Sequence, residues 1–450
     1  MKYFLTLIQL WVGFLSICAS YPKANIWIIP SVESPQVYRN YAQTSKVHLE
    51  MARGEVEHIQ LVFPSKVNEE YRFTFDRYLK GIQISARELK KMNGYYDALV
   101  PFKNQLKCTD TLTAVWITVQ CPSRVPVGKY HQTIKIEGSK HFTIQLDYNV
   151  HHTTIPLKSS IPITVGVENR CMTEGLNDKE ADKERQRWVD FVLSYRMTPV
   201  FGTQITPERW QYEHSFSPWA WNDKRSIRLL NDRRYSCYML PFFTLSENEL
   251  ASLLCNIQKK GKLKESLFYI WDEPAYMEDY EQIKRKVNII RKYASDARIL
   301  TTFFCGPRNG PRKGDLYAVF DYLKHHIHVA TISLAPCKGN EEEVQHIRYK
   351  VPEGIDWWSY VCWQPGGNEP NFLLQMKGIQ QRAVMWRTWK NGSQGFLYWN
   401  CNIYHKRNPF TYITDMPHGD GILIYPGDIL GRKGPIASAR LERWRDGAEE

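Results

Sequence analysis

Residues 266–276 read SLFYIWDEPAY. Leu267–Trp271 is short, apolar and rich in aromatics, the pattern of a strand buried on both faces. Pro274 stops that strand, and the helical pattern behind it, Met277–Tyr293, takes over. Asp272 and Glu273 therefore stand where a strand hands over to a helix. Acidic residues in that place either satisfy the first amides of the helix or face a site.

Working outward, the same rhythm repeats. Apolar strand candidates at 163–169, 198–203, 237–243, 267–273, 299–305, 328–334, 356–363 and 395–401 alternate with helix-like runs at 178–195, 247–259, 279–293, 315–325 and 371–390. Parallel strands covered by helices on one side and each other on the other read as continuous apolar runs. Eight such units predict a (β/α)8 TIM-type barrel over residues 158–450. Asp272 and Glu273 close its fourth strand, on the C-terminal face where barrel enzymes do their chemistry.

Upstream, residues 21–157 carry short period-two strands such as HIQLVF, YRFTF, AVWITVQC and HFTIQLDYNV, with the Pro/Gly turn CPSRVPVGKYH between two of them. That pattern predicts an N-terminal antiparallel β-sandwich. Residues 1–20 have a positive start at Lys2, an apolar stretch Phe4–Ile17 and small residues at Cys18–Ser20, the layout of a secretory signal peptide. The apolar run is shorter than the ~20 residues a membrane span needs. A secreted or extracytoplasmic protein without stable membrane insertion is expected.

The formal net charge of +12 is spread along the chain, and its densest runs alternate with other residues like solvated helix faces. Nucleic acid is not an expected partner. The ten cysteines show no paired CxxC spacing of a zinc site. His326 and His328 lack a third ligand at a recognisable spacing, so neither metal nor cofactor is expected.

An adjacent Asp–Glu pair suits glycoside hydrolysis assisted by the substrate, an exception to the usual scheme of two separated carboxylates. There the sugar's own 2-acetamido oxygen attacks the anomeric carbon. One carboxylate orients the amide N–H, and the other protonates the leaving oxygen. The acid should have a raised pKa beside its anionic neighbour.

YIWDEP, together with GFLYWNCNIY, GDGILIYPG (Gly419–Gly427) and GPIASARLERWRDG (Gly434–Gly447), resembles glycoside hydrolase family 123. ARGEVEHIQLVF (Ala52–Phe63) and VPVGKYHQTIKIEG resemble that family's N-terminal sandwich. The resemblance implies a metal-free retaining exo-β-N-acetylgalactosaminidase acting on glycans or glycosphingolipids. It implies that Asp272 holds the acetamido group and that Glu273 is the general acid/base. The alternatives are another β-N-acetylhexosaminidase specificity, or a silent glycan-binding protein on the same scaffold.

Aromatics can wall a sugar through its apolar C–H faces. Trp271, Trp363, Trp399 and Tyr404 are candidates for that role, and Tyr360 and Tyr398 for a hydrogen bond to the acetamido oxygen. Packing in the core is the competing use of each. Asp420 is a candidate for a sugar hydroxyl or a turn. Cys305 with Cys337, or Cys362 with Cys401, can pair across neighbouring loops, or serve as small buried residues.

Overall fold

The computed structural model describes residues 26–76, 81–206, 211–335, 341–404, 408–409 and 419–450. The expected signal peptide, residues 1–20, lies outside them, as does Cys337. Among the described residues no helix is long and apolar enough to cross a membrane.

The N-terminal region forms two five-stranded sheets. One runs in the order Trp27–Pro30, Val56–Pro64, Leu112–Gln120, Gln83–Met92, Tyr95–Pro101. The other runs Lys46–Arg53, His141–Thr154, Gly128–Glu137, Glu70–Phe75, Gln105–Lys107. Alternating side chains, among them Leu61, Phe63, Val115 and Ile117 from the first and Phe73, Ile134, Ile144 and Leu146 from the second, meet in one core. One pairing departs from the expected antiparallel arrangement: Lys46–Arg53 lies parallel to His141–Thr154. Lys46–Arg53 and Val56–Pro64 are consecutive but lie in different sheets. The turn at Gly54, with φ +83°, therefore carries the chain across the sandwich instead of closing a hairpin.

The larger region is mixed α/β, built on a nearly closed nine-stranded, barrel-like sheet. Its order is Gln211–Ser215, Thr198–Thr206, Ile163–Glu168, Phe396–Tyr398, Asp356–Val361, Val329–Ser333, Arg298–Phe303, Ser266–Trp271, Tyr238–Met239. Eight of these strands pair in parallel and match the eight sequence candidates, with helices such as Asp178–Ser194, Glu247–Lys259, Met277–Arg291 and Gly378–Lys390 between them.

The departure from an ideal (β/α)8 barrel is at one seam. Tyr238–Met239 is only two residues long, because Pro241 soon after it offers no N–H to a ladder. Gln211–Ser215, a polar strand without apolar alternation, fills the gap by pairing antiparallel with Thr198–Thr206. The Phe216 amide donates to the Met239 carbonyl at 2.6 Å, and Thr198 and Ser236 hydroxyls bond at 2.8 Å across the seam.

Strand alternation decides what fills the centre. In Ser266–Trp271, Leu267 and Tyr269 point inward with Leu300, Val329, Trp358, Tyr360 and Leu397, whereas Phe268 and Ile270 join the outer core beneath the helices. Each such side chain, fully buried, contributes roughly 1.5–3 kcal/mol.

The last helix, Ala439–Glu449, wedges between the two regions, and Arg440, Glu442, Arg443, Arg445 and Asp446 are all buried there. Arg440 meets Asp97 of the sandwich, Glu442 meets Arg87, and Arg443 donates to the Ser31 carbonyl at 2.8 Å. A helix with charged residues on every face reads from sequence as solvated; here each charge has a buried partner. Asn391–Gly392–Ser393 has the pattern of an N-glycosylation acceptor, but Asn391 and Ser393 are both buried.

Candidate active site

The end of Ser266–Trp271 does not behave as a regular strand. Its register with Arg298–Phe303 slips between Tyr269 and Trp271, and Glu273 adopts φ +45°. A left-handed conformation at a non-glycine residue costs about 1–3 kcal/mol and needs surroundings that enforce it. It also breaks the alternation that would send neighbouring side chains to opposite faces. The pair does not cap the following helix. The Ala275 and Tyr276 amides donate to Asp279 Oδ2 at 2.8 and 2.9 Å, and the Met277 amide donates to Asn309 Oδ1 at 2.8 Å.

Thr302, on the neighbouring strand, ties the turn together. Its hydroxyl accepts from the Glu273 amide at 3.0 Å and donates to Asp272 Oδ1 at 2.8 Å. The Tyr269 hydroxyl donates to the same oxygen at 2.7 Å. With two hydroxyls fixed on Oδ1, the carboxylate is held in one orientation and Oδ2 takes part in neither bond.

Glu273 is treated differently. Its Oε1 accepts a short hydrogen bond from the Tyr360 hydroxyl. Partial burial first, and the Asp272 charge second, push its carboxyl above the usual 4.5; the Tyr360 bond and the Arg308 charge pull it back. The side chain is still reached by solvent from the mouth of the sheet, with protein crowding its other sides.

Beside Asp272 lies a pocket whose empty space, counted out to the open solvent at its mouth, is about 580 Å³. Its walls include Tyr212, His214, Tyr269, Tyr398, Trp399 and Asn400. Two glycines line it on adjacent strands, Gly166 and Gly202; a Cβ on Gly166 would stand 1.8 Å from the Trp399 carbonyl oxygen, so the close approach of these backbones requires glycine there. The inserted strand that fills the barrel seam thus also supplies Tyr212 and His214. The His214 ring stacks on Tyr269 with centroids 4.3 Å apart and planes 7° apart. Burial lowers its pKa to about 3, so it is neutral at physiological pH. Glu213 between them anchors the strand by accepting from the Phe242 and Thr244 amides at 2.8 and 2.7 Å.

The sequence candidates distribute unevenly around this site. Asp272, Tyr398 and Trp399 line the cavity; Glu273 and Tyr360 bond to each other and are not among its lining residues. Trp399 Nε1 donates to Asp420 Oδ1 at 3.0 Å, and the Tyr398 hydroxyl donates to the same oxygen at 3.1 Å. Asp420 is buried, so it steadies the wall without touching the cavity; burial raises its pKa to about 6. Trp271 is half-buried against the outer core. Trp363 is exposed and stacks on Phe304. Tyr404 is buried in a satellite cluster with Met92, Ala98, Leu374 and Tyr425, and borders a separate cleft with Cys171 and Trp188. Cys305, Cys362 and Cys401 are free thiols, so Cys362 and Cys401 do not bridge.

Four site residues escaped the sequence reading: Tyr269, Thr302, Tyr212 and His214. Tyr269 lies within the quoted stretch, three residues before Asp272, and strand alternation could have placed it inward. Thr302 and the Tyr212–His214 strand give no such signal.

Residues 183–450 match the family model described as the glycoside hydrolase 123 catalytic domain. The chain belongs to glycoside hydrolase family 123 and is a glycoside hydrolase. A comparison with proteins of curated function finds no match. Among solved structures, the chain is similar to a family 123 glycoside hydrolase from Clostridium perfringens, described for glycolipid glycan hydrolysis, at TM-score 0.67 and 14% identity over 94% of this chain and 87% of that one. That likeness supports the fold. A Bacteroides ovatus xyloglucanase of family 5 (10% identity, 90% of this chain, 98% of that one) and an Eisenbergiella tayi β-galacturonidase of family 2 (8% identity, 88% and 89%) align at TM-scores of only 0.25 and 0.37, too low to bear on this chain.

Proposed function

We propose that this family 123 hydrolase is a secreted, retaining exo-glycosidase. It removes terminal β-linked N-acetylgalactosamine from glycans or glycosphingolipids on a (β/α)8-type scaffold by substrate-assisted catalysis. The observation that carries this reading is the left-handed turn at Glu273, which brings two adjacent carboxyls to one mouth with a cavity beside the first. The separate fixation of the two groups supports separate roles. Asp272, oriented by Tyr269 and Thr302, offers Oδ2 to the acetamido N–H. Glu273, with Oε1 engaged by Tyr360, carries its proton on Oε2.

In the first step the acetamido carbonyl oxygen bonds to the anomeric carbon. The bond from that carbon to the leaving oxygen breaks, and the Glu273 proton goes to that oxygen. Asp272 meets the positive charge that develops on the amide. In the second step Glu273 takes a proton from water, whose oxygen attacks the anomeric carbon and reopens the ring. Two inversions give net retention. The neutral His214, the Tyr269 ring and Trp399 suit an uncharged acetamido group and sugar face.

Chromogenic β-N-acetylgalactosaminide and β-N-acetylglucosaminide, each with and without a thiazoline mimic of the cyclised intermediate, test the reading. Cleavage of the galacto substrate, blocked by thiazoline, is expected. Preference for the gluco substrate points to the other hexosaminidase specificity. Cleavage indifferent to thiazoline rules out substrate assistance. Glycan binding with no cleavage favours a silent binder.

A further inference from the structure

The leaving group of the proposed reaction needs a place, and the protonating carboxyl says on which side. The cavity lies beside Asp272. Glu273 is held instead by Tyr360, which is not among the lining residues of that cavity. The two strands that hold Glu273, Arg298–Phe303 through Thr302 and Asp356–Val361 through Tyr360, each leave the sheet with an aromatic residue: Phe304 and Trp363.

These two rings stack, centroids 6.2 Å and planes 22° apart. Trp363 is 43% exposed, whereas Trp357 and Trp358, on the strand that leads to it, are 2% exposed. Packing accounts for the buried pair; the open indole follows on the strand whose Tyr360 holds Glu273. Arg308 belongs to the same loop as Phe304. Its amide donates to the Ala275 carbonyl at 2.7 Å, tying that loop to the turn after Glu273, and its exposed guanidinium is near enough to act on the Glu273 carboxyl. An open aromatic face on the side of the protonating carboxyl fits a ring with apolar C–H faces, whose hydroxyl edges stay in water.

We propose that Phe304 and Trp363 form the leaving-group subsite, a platform for the second pyranose ring of a saccharide substrate. The assignment rests on Glu273 being the acid, as proposed above. Trp363 then belongs with the aglycone and not with the terminal sugar.

The test compares wild type, Trp363→Ala, Trp363→Tyr and Phe304→Ala on three β-glycosides of the same terminal sugar. One is linked to a pyranose, one to an octyl chain, and one to trifluoroethanol, which carries no ring. Trp363→Ala should lower kcat/KM on the pyranose-linked substrate roughly 10- to 100-fold and leave the trifluoroethyl glycoside within about twofold. Trp363→Tyr, which keeps a ring, should recover most of the loss, and Phe304→Ala should show a smaller loss of the same pattern. Thermal melts confirm that each variant folds. An equal fall on all three glycosides makes Trp363 structural and overturns the subsite. An equal fall on the octyl and pyranose substrates alone overturns its saccharide preference. Wild type that cleaves none of the three overturns the acid assignment itself, a result distinct from either.

Discussion

The Tyr360 hydroxyl donates to Oε1 of Glu273, joining the seventh parallel strand of the larger sheet to the turn that ends the fourth. The bond favours the ionised carboxyl, against the raising effect of burial and of Asp272. A catalytic acid works in its protonated form, so kcat/KM should fall as pH rises through the Glu273 pKa. Tyr360→Phe removes one lowering influence. Its alkaline limb should move to higher pH, by roughly one pH unit. A limb that stays in place or moves to lower pH in the variant argues against Glu273 as the titrating acid.

Glu273→Gln should separate chemistry from stability. Without a proton to give, turnover of a glycoside with a poor leaving group should drop about 10²- to 10⁴-fold, and that of a nitrophenyl glycoside much less. Stability should move the other way. The folded pKa lies above the unfolded value of 4.5, so ionising Glu273 costs the native state. Its relative stability is fully present below that value and is lost as pH rises through the folded pKa. The variant should therefore melt higher than wild type at neutral pH, and the gap should close in acid. Melting curves at pH 4 and pH 7.5 read this directly.

Asp272 depends on two hydroxyls. Asp272→Asn should reduce turnover of good and poor leaving groups alike and weaken thiazoline binding. Tyr269→Phe deletes one donor to Oδ1 while keeping the ring that stacks on His214. A hydrogen bond to a charged group contributes about 1.5–3 kcal/mol, so kcat should fall about 10- to 100-fold with the fold intact. Normal thiazoline affinity in Asp272→Asn would remove the acetamido role.

Asp97 and Arg440 form an ion pair 3.0 Å long, each 1% exposed, between the sandwich and the last helix. Arg440 also donates to the Phe372 and Gly419 carbonyls at 2.7 Å, the latter beside Asp420 and the cavity wall. Asp97→Ala leaves a buried guanidinium without its counter-charge and should destabilise the protein by about 3–5 kcal/mol. Denaturant unfolding measures the loss. A cost below about 1 kcal/mol, the size seen for exposed pairs, would mean the helix is not a structural wedge.

Local pattern made much of this protein readable. Apolar runs punctuated by Pro and Gly marked eight parallel strands, and alternation marked the sandwich, because period and burial are written into neighbouring residues. Asp272 and Glu273 stood out because acids after an apolar strand are conspicuous. What the chain could not announce is what contacts across distance impose. Whether the two acids converge depends on Glu273 holding φ +45°, and that depends on Thr302 and Tyr360 reaching it from other strands. His214 sits in a polar stretch with no period, and becomes part of the site only because a short third strand leaves a seam to fill. Tyr404, close in sequence to Trp399, packs on the sandwich side instead. The charged final helix is buried because its partners, Asp97, Arg87 and His58, arrive from more than 300 residues away. Secondary structure here follows from adjacency; the site follows from which strand ends the closing sheet brings together.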